Sequence, residues 1–165
     1  MTSKLSLRDA CILALMAALM FASKLALAGI PNVHLNAVFI IMAAVFFSWR
    51  SLYAVAVYVM LEGLVFGFGL WWISYLYAWP LLAAAAVLMQ KNDSALLWAI
   101  LAGAHGLCFG ALCSVPYLFI GGWALAFSTW ISGIPFDLAH CAGNFILVLV
   151  LFRPLKKVML RLVKR

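Results

Sequence analysis

The sequence predicts an all-α integral membrane protein. It reads as one compact bundle of six transmembrane helices spanning residues 1–165, with both termini cytoplasmic. Three observations carry that expectation. The 165-residue chain is 69% hydrophobic and only 9% charged, with a mean hydropathy of +1.19, far less polar than a soluble domain of this size. Glycines, prolines and charge clusters cut it into six apolar stretches, roughly 7–28, 34–48, 51–67, 72–90, 94–119 and 135–153. Most of these approach the ~17–25 residues that a spanning helix needs. The charges alternate with the connections. Lys4 and Arg8 precede the first stretch, Arg50 lies between the second and third, Lys91 lies between the fourth and fifth, and Arg153, Lys156, Lys157, Arg161, Lys164 and Arg165 follow the sixth. The other three connections contain no Lys or Arg, as the positive-inside rule requires of loops facing outward. The net charge of +7 is therefore placed for anionic lipid headgroups, at ~1 kcal/mol per charge, and no nucleic-acid module is readable.

Taken in order, the first stretch carries Lys24 in its outer part and a small-residue "LALAG" at 25–29 that resembles a signal-peptidase site. Lys24 lies close to that site, and an uncleaved helix completes an even bundle, so the helix is expected to be retained. Its alanines Ala10, Ala14, Ala18, Ala22 and Ala26 recur every four residues. Such a stripe lets another helix approach closely, within the bundle or from another subunit. The second and third stretches are short and require tilt or local thinning. His34 and Asn36 open the second, and Glu62 sits toward the outer end of the third. His105 falls near mid-membrane on the fifth. The sixth carries Asp137, His140 and Asn144 at i, i+3 and i+7, on one face. Cys11, Cys108, Cys113 and Cys141 form no CxxC pair and read as small buried apolar residues rather than disulfides or metal ligands.

Each polar residue also has a plain structural reading. A buried His or Asn often only bridges two helices, worth ~1 kcal/mol. "GIPFD" can simply start the last helix, and Lys24 can snorkel outward. What favours a site is the crowding of these residues into the outer half. The inner halves, such as "MAAVFFS", "LAAAAVLM" and "ILVLVLF", contain no ionisable group. A pore or a rocking transporter lines most of its path with polar groups, so the pattern predicts a cup open to the outside above a sealed apolar floor. Beside its mouth lies "GFGLWWISYLYAWP", residues 67–80, with Trp71, Trp72, Tyr75, Tyr77 and Trp79. Some of these rings belong to an interfacial belt, which explains Trp72, Tyr75 and Trp79 at i, i+3 and i+7 without a ligand. Others suit a lid over a flat, partly apolar ligand. "GGWALAFSTWISG" (121–133) repeats the recipe as the next outer loop.

The AxxxA pattern of Ala14, Ala18 and Ala22, "IPNVHLN", "LEGLVFGFGLWWISYLYAWP" and "ISGIPFDLAHCAGNF" together resemble the substrate-binding (S) components of energy-coupling-factor vitamin transporters. The resemblance covers most of the chain. It implies a prokaryotic plasma-membrane subunit that binds a vitamin or vitamin precursor in an outward cup. It also implies docking through Ala14, Ala18 and Ala22 onto a membrane scaffold (T) subunit carried by two ATPase (A) subunits, with toppling in the bilayer to release the substrate inside. No Walker motif is present, so ATP would be used by those partners; the chain is expected to be no enzyme and to hold no cofactor or metal. The expected substrate-binding residues are His34, Asn36, Glu62, Trp71, Trp72, Tyr75, His105, Asp137, His140 and Asn144. A rival of another class is a small haem-binding membrane oxidoreductase subunit with His105 and His140 as axial ligands.

Overall fold

The computed structural model describes residues 5–29 and 33–163, and no strand occurs among them. The elements are α1 (Leu7–Ala26), α2 (Asn36–Phe47), a 3-10 turn (Ser48–Arg50), α3 (Ser51–Phe66), α4 (Leu70–Leu88) and α5 (Ala95–Val163). Four helical runs are long and apolar enough to cross a membrane: Leu7–Ala26, Asn36–Phe66, Leu70–Leu88 and Ala95–Val163.

α1 starts at Ser6, whose side chain accepts a hydrogen bond from the Asp9 amide at 3.1 Å, the usual N-cap arrangement. It buries Leu13, Met16, Ala17 and Met20, the i, i+3, i+4, i+7 set of a single face. Ala14, Ala18, Ala22 and Ala26 lie on the other side and are exposed. α2 is apolar all round and is buried from Asn36 through Ala44. It forms the axis of the bundle, touched by α1, α3, α4 and α5. The chain reverses after α2 at Ser48, which has φ 52° and ψ −135°. α3 then returns antiparallel to α2, with the Asn36 amide donating to the Tyr58 hydroxyl at 2.6 Å.

The largest departure from expectation concerns residues 121–133. They were expected to form a loop, with the last helix starting near Pro135. Instead α5 runs helically from Ala95 to Val163, interrupted only at Gly121 (φ −134°, ψ 16°) and Gly122 (φ 68°, ψ −165°). Two glycines suffice, because the second adopts a conformation that side chains disfavour. The two arms fold back on each other. Gly110 faces Asp137, Ala102 faces Asn144 and Trp98 stacks on Phe152. Gly106 allows the close approach, since a Cβ there would lie 2.8 Å from the His140 carbonyl carbon. The returning arm stays helical through Ser128, Thr129 and Ser132, whose hydroxyls donate to the carbonyls of Leu125, Leu125 and Thr129 within their own helix. Pro135 is absorbed rather than ending the helix, and the arm continues past 153, through Pro154, to Val163.

One smaller expectation also changes. None of the four cysteines is buried: Cys11 and Cys108 are exposed, and Cys113 and Cys141 are half-buried, all free. A small apolar side chain facing hydrocarbon has no need of protein burial. The cations also sort by end. Arg50 pairs with Asp9 at 3.6 Å, Arg8 donates to the Leu162 carbonyl and Lys156 pairs with Asp93. These contacts draw Arg8, Arg50, Lys91, Arg153, Lys156, Lys157 and Arg161 to one end of the bundle. Among the described residues, Lys24 is the sole Lys or Arg toward the other end.

Candidate functional site

The end of the bundle that holds Lys24 also holds the candidate site. α1 delivers Lys24 in its last turn, and the α1–α2 connection delivers Val33 and His34. α3 delivers Glu62 and Phe66, α4 delivers Trp71, Tyr75 and Trp79, and the facing arms of α5 deliver Phe109 and His140. Between them lies a cavity of about 280 Å³ lined by Lys24, Val33, His34, Phe66, Tyr75, Phe109 and His140 among others. Of "IPNVHLN", Ile30, Pro31 and Asn32 lie outside the described residues.

The centre of the site is Trp79, which is 0% exposed. Its ring centroid lies 5.6 Å from His34, 5.5 Å from His105, 6.3 Å from His140, 5.0 Å from Phe109 and 5.7 Å from Tyr75. His34 and His140 meet edge to face at 5.0 Å. These distances are those of favourable aromatic pairs. Belt exposure of Trp79 is therefore overturned. Tyr75 and Trp79 are i and i+4, so one face of α4 carries both inward. The same spacing links His105 to Phe109, and it was the available sign that Phe109 and Trp79 belong to the site.

Glu62 is 0% exposed, and its Oε2 pairs with the Lys24 ammonium. The Lys24 ammonium thus turns inward rather than snorkelling away. Its Nζ lies over three rings, 5.0 Å from the centroid of Phe66, 5.7 Å from Trp71 and 5.4 Å from Tyr75. Several buried polar atoms have no hydrogen-bond partner within the protein: His34 Nδ1, both ring nitrogens of His140, Glu62 Oε1 and Trp79 Nε1. A buried polar atom without a partner is costly, by ~1–3 kcal/mol; of these residues His34 and His140 line the cavity, while Glu62 and Trp79 lie behind its lining.

The remaining expected residues divide. Trp71 joins the cluster through Tyr75, at 5.2 Å, whereas Trp72 turns away and donates its Nε1–H to the Val59 carbonyl at 2.8 Å. Asn36 is engaged with Tyr58, below the cavity. Asp137 accepts from the Gly110 amide at 2.8 Å, and Asn144 donates to the Ala102 carbonyl at 3.2 Å. Both tie the arms of α5 together rather than lining the cavity. His105 donates its Nε2–H to the Ala78 carbonyl at 2.9 Å. Phe109 packs on both His105 and His140, at 5.6 and 4.8 Å, and Trp79 also touches both. The two imidazoles are thus separated by filled space rather than by a slot for a flat macrocycle.

The chain matches no protein-family model, no curated protein and no solved structure. The geometry stands by itself. It can hold a small ligand against aromatic faces, fix it by hydrogen bonds to imidazole nitrogens, and set a charge pair at its mouth.

Proposed function

We propose that this chain is the substrate-capture subunit of an energy-coupling-factor-type importer in a prokaryotic plasma membrane. It is a six-crossing bundle with both termini cytoplasmic, counting α1, α2, α3, α4 and the two arms of α5 as the crossings. It binds a vitamin or vitamin precursor from outside. Ala14, Ala18 and Ala22 dock on a membrane scaffold subunit, and two ATPase subunits supply the energy.

One observation carries this reading: the aromatic, histidine-lined cavity lies at the end of the bundle opposite Arg8, Arg50, Lys91 and the 153–161 cations. Cations mark the cytoplasmic side, so the cavity faces outward. The rest of the bundle beneath it is the packed apolar core of Leu13, Ile40, Ile41, Val55 and Leu82, which offers a polar solute no continuous path. Capture without conduction calls for a partner that moves the substrate onward, and the alanine stripe turned away from the bundle is where a helix could approach closely. The haem alternative has less support, because Trp79 and Phe109 fill the space between His105 and His140.

The test is mass spectrometry of what purified protein releases on denaturation, paired with an absorbance scan. A stoichiometric, vitamin-sized heterocycle is expected. A stoichiometric Soret band with no released small molecule would overturn the reading.

A further inference from the structure

We infer that the three rings around the Lys24 ammonium, together with the Glu62 carboxylate, form a receptor for an organic cation on the ligand. Lys24 occupies that receptor as a tethered stand-in. The inference rests on the capture reading and names the substrate class of the same site.

The two members of the Lys24–Glu62 pair are not equally fixed. Glu62 is 0% exposed on α3, one turn before Phe66. Lys24 is in the last turn of α1, its side chain is 30% exposed, and its stem can carry the ammonium out of the site. When it swings away, what stays is a buried carboxylate and the faces of Phe66, Trp71 and Tyr75, each with its centroid between 5.0 and 5.7 Å from where the ammonium was. Ring faces are negative and attract cations within about 6 Å. A buried carboxylate left unpaired is strongly disfavoured, so whatever displaces Lys24 must bring positive charge with it. An anionic ligand would be drawn to Lys24 but would have to sit beside the buried Glu62 carboxylate.

The cavity extends from Lys24 and Tyr75 to His34, Phe109 and His140. There His34 Nδ1 and both His140 nitrogens wait for partners. The complementary ligand has a quaternary or N-alkylated ring nitrogen at one end and a hydrogen-bonding, flat portion at the other.

The test uses the full chain in lipid nanodiscs with two probes, benzyltrimethylammonium and phenylacetate, followed by ligand-observed NMR. Wild type is expected to bind the cation and not the anion. Lys24→Met removes the internal competitor, and cation affinity should rise at least about ten-fold. Glu62→Gln should lose it. Because Lys24→Met alone leaves a buried charge, the double variant Lys24→Met/Glu62→Gln provides a neutral site, and it should bind the cation no better than Glu62→Gln. Phenylacetate binding that disappears in Lys24→Met, or cation affinity unchanged in Glu62→Gln, overturns the inference, as does binding of neither probe to any form. A released natural ligand without positive charge also overturns it but leaves capture standing. Release of no ligand at all, with no uptake in cells, removes both.

Discussion

Trp79 is in contact with His34, Tyr58, Tyr75, His105, Phe109 and His140, so it supports the site and the bundle at once. Trp71 packs on Tyr75 and the Lys24 ammonium, and is half-buried. Their substitutions should separate. Trp79→Ala empties a fully buried volume and is expected to cost ~3–5 kcal/mol of stability, read as a large fall in the thermal midpoint in detergent. Trp71→Ala should leave the midpoint in place and weaken ligand binding by ~0.5–1.5 kcal/mol, a few-fold in affinity. Equal midpoints for the two variants would show that Trp79 is not the central packing residue. Which residues are polar inside an apolar chain was legible from the sequence: Glu62, His34 and His140 announce themselves. Which way a ring points was not. Trp72 and Trp79 share the spacing of a belt with Tyr75, yet one donates to Val59 and the other is enclosed, because helix rotation is set by partners distant in the chain.

At the scale of elements, α1 through α4 fall close to the expected stretches, since hydrophobic runs bounded by Gly, Pro or charge mark helix limits well in a membrane-like composition. The misreading at 121–133 has a definite cause. The glycines and tryptophans of this segment match the 67–80 turn, whereas here the hydroxyls bond back to their own helix and only Gly121 and Gly122 break it. The α2–α3 reversal is the converse case, a tight turn with no glycine. Ser48 adopts φ 52° and ψ −135°, a region that costs a residue with a side chain ~1–3 kcal/mol. Ser48→Gly should therefore raise the thermal midpoint while leaving ligand affinity unchanged. A lowered midpoint would mean that the serine side chain contributes more than its backbone costs.

For the whole molecule, the decisive asymmetry is in α1. It buries Leu13, Met16, Ala17 and Met20 and turns Ala14, Ala18, Ala22 and Ala26 outward, so nothing among the described residues needs those four positions to be small. On the proposed capture role, Ala18→Trp should then leave folding and ligand binding by the isolated protein intact while abolishing uptake in cells that hold the proposed partner subunits. Normal uptake would remove the stripe as a docking face. The all-helical class, with four runs long and apolar enough to cross a membrane, was legible because so apolar a composition favours helices. The stripe's direction was not, since a ladder of alanines on every fourth residue packs equally well toward either side.

The hydrogen bond from Arg8 to the Leu162 carbonyl spans 154 positions of the chain. During synthesis at about 5–20 residues per second, the first helix emerges roughly ten to thirty seconds before its distant partner exists. α1 can settle against α2 and α3 early, with Asp9 already paired to Arg50, but the bond from Arg8 to the far end of the chain forms only when nearly the whole chain has been made. The bundle is thus fastened last between its first helix and its last, and the helix that carries the exposed alanine stripe waits for that final restraint.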